Sequence, residues 1–140
     1  MLTRLIYVSK HDGIATETLD RVLQASRSNN VRDGITGALV IGEQNFLQLL
    51  EGGRAAVADC FMRIMQDTRH HDIQIICAGD AETRLFFDWS MHRIETSRMK
   101  QEILSRYEVD GTFDPLCMTQ FAVEDMCRTL SAGGWEALAA

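Results

Sequence analysis

The sequence predicts an α+β domain of ferredoxin-like type: a β-α-β-β-α-β-β sheet with two helices on one face and a C-terminal helical extension covering the other. Three observations predict it. Along the first two thirds of the chain the apolar period alternates between two and 3.6 in that order. The second of the predicted strands is apolar on both of its sides, so both faces of the sheet need cover. And 140 residues, 46% apolar and 24% charged, suit one ordinary globular unit.

Each element has its own signal. Residues 2–9, LTRLIYVS, alternate Leu5 and Tyr7 on one face with Ile6 and Val8 on the other. From Thr16 to Asn29 the stripe Leu19, Val22, Leu23, Ser26 has helical spacing, with Thr16 as N-cap and Glu17 and Asp20 near the positive end of the dipole. Asp33-Gly34 breaks the chain. Ile35–Ile41 and Phe46–Glu51 then read as two strands joined by a turn containing Gly42. Arg54–Asp67 is a second helix, striped by Val57, Cys60, Phe61 and Ile64. Ile73–Ala78 and Leu85–Met91 give the last two strands, separated by the turn at Gly79-Asp80. Beyond them, Met99, Ile103 and Tyr107 mark a helix over 98–108. Phe121, Val123, Met126, Cys127 and Leu130 mark another over 120–132, stopped by Gly133-Gly134.

Charge and composition exclude several classes. Fourteen basic against 20 acidic residues leave a net charge of −6, which opposes binding to nucleic acid or to an anionic membrane. Apolar runs fall far short of the roughly 20 residues that span a bilayer, and the polar N-terminus lacks a signal-peptide core. A cytoplasmic protein is expected. Cys60, Cys77, Cys117 and Cys127 include no CxxC pair and read as buried free thiols. His70 and His71 are adjacent and diverge, so no metal is expected. GxGxxG and GxxxxGK[ST] are absent, and no Ser/His/Asp or Cys/His arrangement is convincing.

The polar residues inside apolar runs carry the chemistry. Gln48 within FLQLLEG is costly unless its amide is hydrogen-bonded, and Tyr7 on the neighbouring central strand is its natural partner. The pair reads either as a satisfied polar contact in a core or as a pair facing a ligand. In SRSNN, Asn29 and Asn30 offer donor and acceptor together, which matches an imide edge; a single Asn closing a helix needs no such explanation. Arg69, His70 and His71 follow the second helix, either as favourable positive charge at its C-terminus or as contacts to phosphate or hydroxyl oxygens. Trp89 and Met91, two apart on a predicted strand, point the same way.

In order, LIYVS, SRSNNVRDGITGALV, FLQLLEG, the helix from Arg54 into QDTRHHDI, and RLFFDWSM resemble the BLUF family, the sensors of blue light using FAD. The resemblance covers residues 2–93 and leaves 96–140 as a two-helix cap and output extension. It implies a non-enzymatic photoreceptor holding FAD non-covalently, with the ring between the two helices. Tyr7 would be the photo-oxidisable tyrosine, with Gln48 between it and the flavin. Asn30 would pair with the polar edge of the ring, with Asn29 at a neighbouring, variable position. Ser26, Trp89 and Met91 match positions around Gln48, and Arg69 and His70 match residues near the ring's other edge or the ribityl chain. Light would rearrange the hydrogen bonds of Gln48 into a red-shifted state that decays in the dark. The signal would leave through the fifth strand to a separate effector protein or to a second copy of the chain, a homodimer. Two readings from other classes remain. One is an acylphosphatase-type enzyme recruiting Arg32 or Arg54 with Asn30, and the other is a flavin-free interaction module. Both would be colourless.

Overall fold

Five strands form a single sheet in the computed structural model, which describes residues 1–137. The elements are β1 (Leu2–Lys10), α1 (Thr16–Asp33), β2 (Thr36–Ile41), β3 (Asn45–Gly53), α2 (Arg54–Met65), β4 (His71–Asp80), β5 (His92–Glu95), α3 (Gln101–Leu104) and α4 (Gln120–Ser131). Strand order is β4-β1-β3-β2-β5, antiparallel except for the parallel β2–β5 pair. This is the expected α+β architecture, with β1 and β3 as central antiparallel neighbours.

Alternation along the central strands splits their side chains between two cores. Leu5, Tyr7, Leu39, Phe46 and Leu50 face α1 and α2, where Leu19, Leu23, Val57 and Phe61 meet them. Ile6, Val8, Ala38, Val40, Leu47 and Leu49 face the opposite way, onto Tyr107, Phe113 and the Val123, Met126, Cys127, Leu130 stripe of α4. The two-sided apolarity of β2 therefore has the predicted physical consequence: the C-terminal residues cover the second face.

Several boundaries differ from the expectation. α1 runs a turn further, to Asp33. It ends at Gly34, whose left-handed conformation (φ 70°) lets its N–H reach the Asn30 carbonyl. Asn29 and Asn30 thus sit inside the helix rather than closing it. Thr16 is the first helical residue, and its predecessor Ala15 provides no side-chain cap. α2 ends at Met65, two residues early. Residues 98–108 are not one helix: Met99 is extended and Lys100 donates its N–H to the Trp135 carbonyl, which divides the stretch into 3-10 turns around the four-residue α3. Of the cysteines, only Cys60 and Cys127 are buried. Cys77 is half-buried, and Cys117 is exposed in a turn beside Asp114.

The largest correction concerns Leu85–Met91, which is not a strand. Most of its backbone hydrogen bonds go to side chains rather than to a ladder. The Leu85 and Phe86 N–H groups donate to the Glu51 carboxylate. The Trp89, Ser90 and Met91 carbonyls accept from the Gly37 N–H, the Asn30 amide and the Arg27 guanidinium. Pairing with β2 becomes regular only at His92–Glu95.

Candidate functional site

The β1–β3 register sets Tyr7 directly opposite Gln48, both turned toward the helices. The Tyr7 hydroxyl donates to Gln48 Oε1. The amide nitrogen of Gln48 donates to the Met91 sulfur at 3.3 Å. Tyr7, Gln48 and Met91 are all buried.

This pair forms the floor of a cavity of about 270 Å³ between α1, α2 and the sheet, close to the lower end of the roughly 300–1,000 Å³ of small-molecule sites. Leu19 and Leu23 from α1 and Ile64 from α2 make apolar walls, while Ser26, Asn29 and Asn30 add polar groups from α1. Asn30 is 2% exposed. Its amide nitrogen donates to the Ser90 carbonyl at 2.7 Å, whereas its carbonyl oxygen, among the described residues, meets only the Cys60 thiol, at 4.0 Å. Burial, reinforced by Cys60 and Asp67, raises the Tyr7 pKa well above the phenol's usual value, so Tyr7 is a neutral donor.

At the cavity mouth Arg69 forms a bidentate pair with Asp67, both contacts at 2.8 Å, which holds the Asp67 carboxyl below the usual range. His70 lines the cavity, but both ring nitrogens are used within the protein. Nε2 donates to the Ile64 carbonyl at 2.8 Å, which leaves Nδ1 to accept from the Ser9 hydroxyl at 2.8 Å. His70 therefore offers the cavity no free polar valence. Ser9, the last residue of LIYVS, is the partner that sequence reasoning missed; a hydroxyl ending an apolar strand was the available signal.

Trp89 and Met91 do not point the same way. Met91 is 1% exposed at Gln48. Trp89 is 48% exposed and packs against His92 with the rings tilted by 41° and their centroids 4.0 Å apart. The expectation of a shared direction assumed a strand, and the segment is irregular. Nor do Arg32, Arg54 and Asn30 assemble into an anion site: Arg32 pairs with Asp33 and Arg54 with Asp80.

The donor set bears on what could fill the cavity. Among the described residues, the buried Gln48 amide has only a thioether, a weak acceptor, for its N–H, and the Asn30 oxygen has only a distant thiol for a donor. A flat heteroaromatic ring carrying carbonyl acceptors and an imide N–H complements both groups, and the aliphatic walls suit its faces. The residues fit a flavin ring. Among the described residues no cluster of three His, Cys, Asp or Glu could hold a metal ion, and no helix is long and apolar enough to cross a membrane.

Comparison with known proteins agrees with this geometry. The family model for sensors of blue light using FAD matches residues 2–92. Photoactivated adenylate cyclase subunit beta of Euglena gracilis is 30% identical over 94% of this chain, which spans only 16% of that protein's length. Among solved structures, the BlsA photo-activated state superposes with a TM-score of 0.86 at 26% identity, covering 99% of this chain and 100% of that one. The dark-state structure of BlrB, a BLUF protein, gives 0.78 at 30% identity, covering 94% and 96%.

Proposed function

This chain belongs to the BLUF family, the sensors of blue light using FAD, and on that premise we propose that it is a photoreceptor whose signal originates in Tyr7 and Gln48. The observation that carries the reading is the hydrogen-bonded Tyr7–Gln48 pair on the floor of a cavity with aliphatic walls. When bound, FAD supplies a blue-absorbing ring that becomes a strong one-electron oxidant on excitation.

The chain's own residues do the rest. Tyr7 is the electron donor, and since an oxidised phenol is strongly acidic, its proton passes to Gln48 Oε1 along the existing hydrogen bond. When electron and proton return to Tyr7, the amide can settle with its oxygen and nitrogen exchanged. Met91 makes the two orientations unequal. In the resting one the N–H group meets the sulfur as an acceptor; in the other, the amide oxygen faces the sulfur and gains no hydrogen bond. With a flavin bound, a Gln48 donor released from the sulfur would be free to reach a ring carbonyl, and that hydrogen bond would shift the absorption slightly to the red; with no covalent bond made, the shift would decay in the dark. Asn30 would hold the imide edge, with Ser26 and Asn29 beside it. Arg69, a half-exposed lining residue, would meet the ribityl chain. Of the two relay candidates, Met91 touches Gln48, and Trp89 follows through the shared segment.

We place the output in the segment before β5 and in residues 96–137 packed on the second face, acting on a separate effector or on a second copy of the chain. No catalytic activity is assigned.

The direct test is spectroscopic. Reconstituted with FAD, the protein should be yellow, shift to the red under blue light and recover in darkness. A colourless or light-inert protein would end the proposal. Gln48→Leu, close in volume and unable to accept the phenolic proton, should keep the colour and lose the shift. Asn30→Ala should weaken FAD binding by about 1–3 kcal/mol, because an imide edge is left partly unpaired; titration calorimetry measures this, and unchanged affinity would remove Asn30 from the binding set.

A further inference from the structure

Residues Thr83–Met91 deliver the Met91 sulfur to Gln48; Gly37, Asn30 and Arg27 hold their last three carbonyls, and a carboxylate on the other side of the sheet holds their first half. Glu51 follows Gln48 by three positions on β3, so the two side chains leave opposite faces. Glu51 is fully buried, at 0% exposure. Its Oε1 accepts from the N–H groups of Leu85 at 2.9 Å and Phe86 at 3.1 Å. Its Oε2 accepts from Arg4 Nε at 2.8 Å and shares the Leu85 N–H at 3.0 Å.

Arg4 stands directly opposite Glu51 in the β1–β3 ladder and donates onward to the Thr83 carbonyl at 2.8 Å. Arg84 folds back to the Thr36 hydroxyl at 2.8 Å and to the carbonyls of Gly34 and Glu51 at 2.9 and 3.1 Å. A buried carboxylate is tolerated only when paired and hydrogen-bonded, and here most of that bonding is spent on one stretch of irregular backbone.

The same two strands thus carry two cross-strand pairs three rungs apart. Tyr7–Gln48 faces the cavity, and Arg4–Glu51 faces away from it. Both grip one segment, Gln48 at Met91 and Glu51 at Leu85 and Phe86. We propose that Glu51, supported by Arg4, is a positioning residue for the photochemical site: by fixing Leu85–Phe86 it sets the reach of Met91 to Gln48 and hence the preference between the two amide orientations. This rests on the photoreceptor reading above.

The test uses the full chain loaded with FAD, methyl-labelled at methionine, followed by NMR in darkness and under blue light. In Arg4→Met/Glu51→Gln the amide oxygen can still accept from both backbone N–H groups, so the Met91 methyl signal and the dark recovery should match the wild type. In Arg4→Met/Glu51→Leu no charge is orphaned but both N–H groups lose their acceptor. The Met91 signal should broaden or split, and recovery should accelerate roughly tenfold, with FAD still bound. A folded, yellow Glu51→Leu double variant with wild-type Met91 signal and recovery would overturn the proposal. Should that variant not fold, hydrogen exchange of the wild-type protein decides: the Leu85 and Phe86 amides must be the most protected of residues 83–91, and exchange at free-loop rates overturns the anchor. A wild-type protein without a light-induced shift would instead defeat the photoreceptor reading, while the exchange and dark-state signals would still report on the anchor.

Discussion

Tyr7→Phe is expected to leave a yellow protein with no red-shifted state. The substitution removes one oxygen and keeps the ring, so the packing against Phe61 at 5.5 Å survives and the pocket keeps its floor. What is lost is the hydroxyl that Gln48 accepts from. Without it there is neither an easily oxidised side chain nor a proton on a path to the amide. Flash spectroscopy should find the excited state longer-lived and the shifted product absent, a loss of all signal rather than a fraction. A Tyr7→Phe variant with the wild-type light state would remove Tyr7 from the mechanism.

The phenol carries a further, pH-dependent consequence. Burial first, and the nearby Cys60 and Asp67 second, raise its folded pKa above the ordinary 10.0. The folded state therefore holds this proton more tightly than the unfolded chain. The stability linked to Tyr7 is complete below pH 10.0 and drains away as pH rises past it toward the raised value. The light-induced shift should persist unchanged up to about pH 10 and vanish above it only together with unfolding. Circular dichroism and flavin absorption recorded on one alkaline titration would separate the two; a phenolate appearing in the folded protein near pH 10 contradicts the burial argument.

The parts of this site that rest on short-range order were readable in the sequence. Period-two alternation put Tyr7 and Gln48 inside, and the β-α-β-β-α-β order made the first and third strands neighbours. The two-sided apolarity of β2 implied the covering of the second face. The failures share a physical cause. Residues 85–91 are rich in Phe and Trp and score as a strand, but their N–H and carbonyl groups are claimed by Glu51, Asn30 and Arg27, more than 30 residues away. That competition set Met91 and Trp89 in different directions. Residues 98–108 carry a helical stripe that does face the core, yet one main-chain bond from Lys100 to Trp135 breaks the helix. Glu51 carried the same sequence signal as Gln48, a polar residue in an apolar strand. Arg4 opposite it on β1 is as near a partner as Tyr7 is for Gln48, but the other partners of Glu51 are main-chain N–H groups of Leu85 and Phe86, which carry no side-chain signal.

Gly37→Ala should be the most damaging single substitution for stability. Gly37 pairs with Leu50 across the β2–β3 ladder, and a Cβ built there would lie 1.8 Å from the Leu49 carbonyl oxygen and 2.9 Å from its carbon. Both are backbone atoms, so no rotamer change can yield; the strands must separate or the ladder must bulge. Leu49 adjoins Gln48 in sequence, and the Gly37 N–H also holds the Trp89 carbonyl at 3.0 Å. The methyl group therefore disturbs the strand that carries the photochemical amide, its β2 neighbour and the segment that delivers Met91. A loss of about 4 kcal/mol or more is expected, at the upper end for point substitutions, set against total stabilities of about 5–15 kcal/mol. Gly79→Ala supplies the control, since nothing lies within 4 Å of a Cβ on that exposed edge-strand residue. Its urea midpoint should stay near the wild-type value while that of Gly37→Ala collapses. If the two variants unfold alike, the close approach of β2 to β3 is not what fixes Gln48 in place.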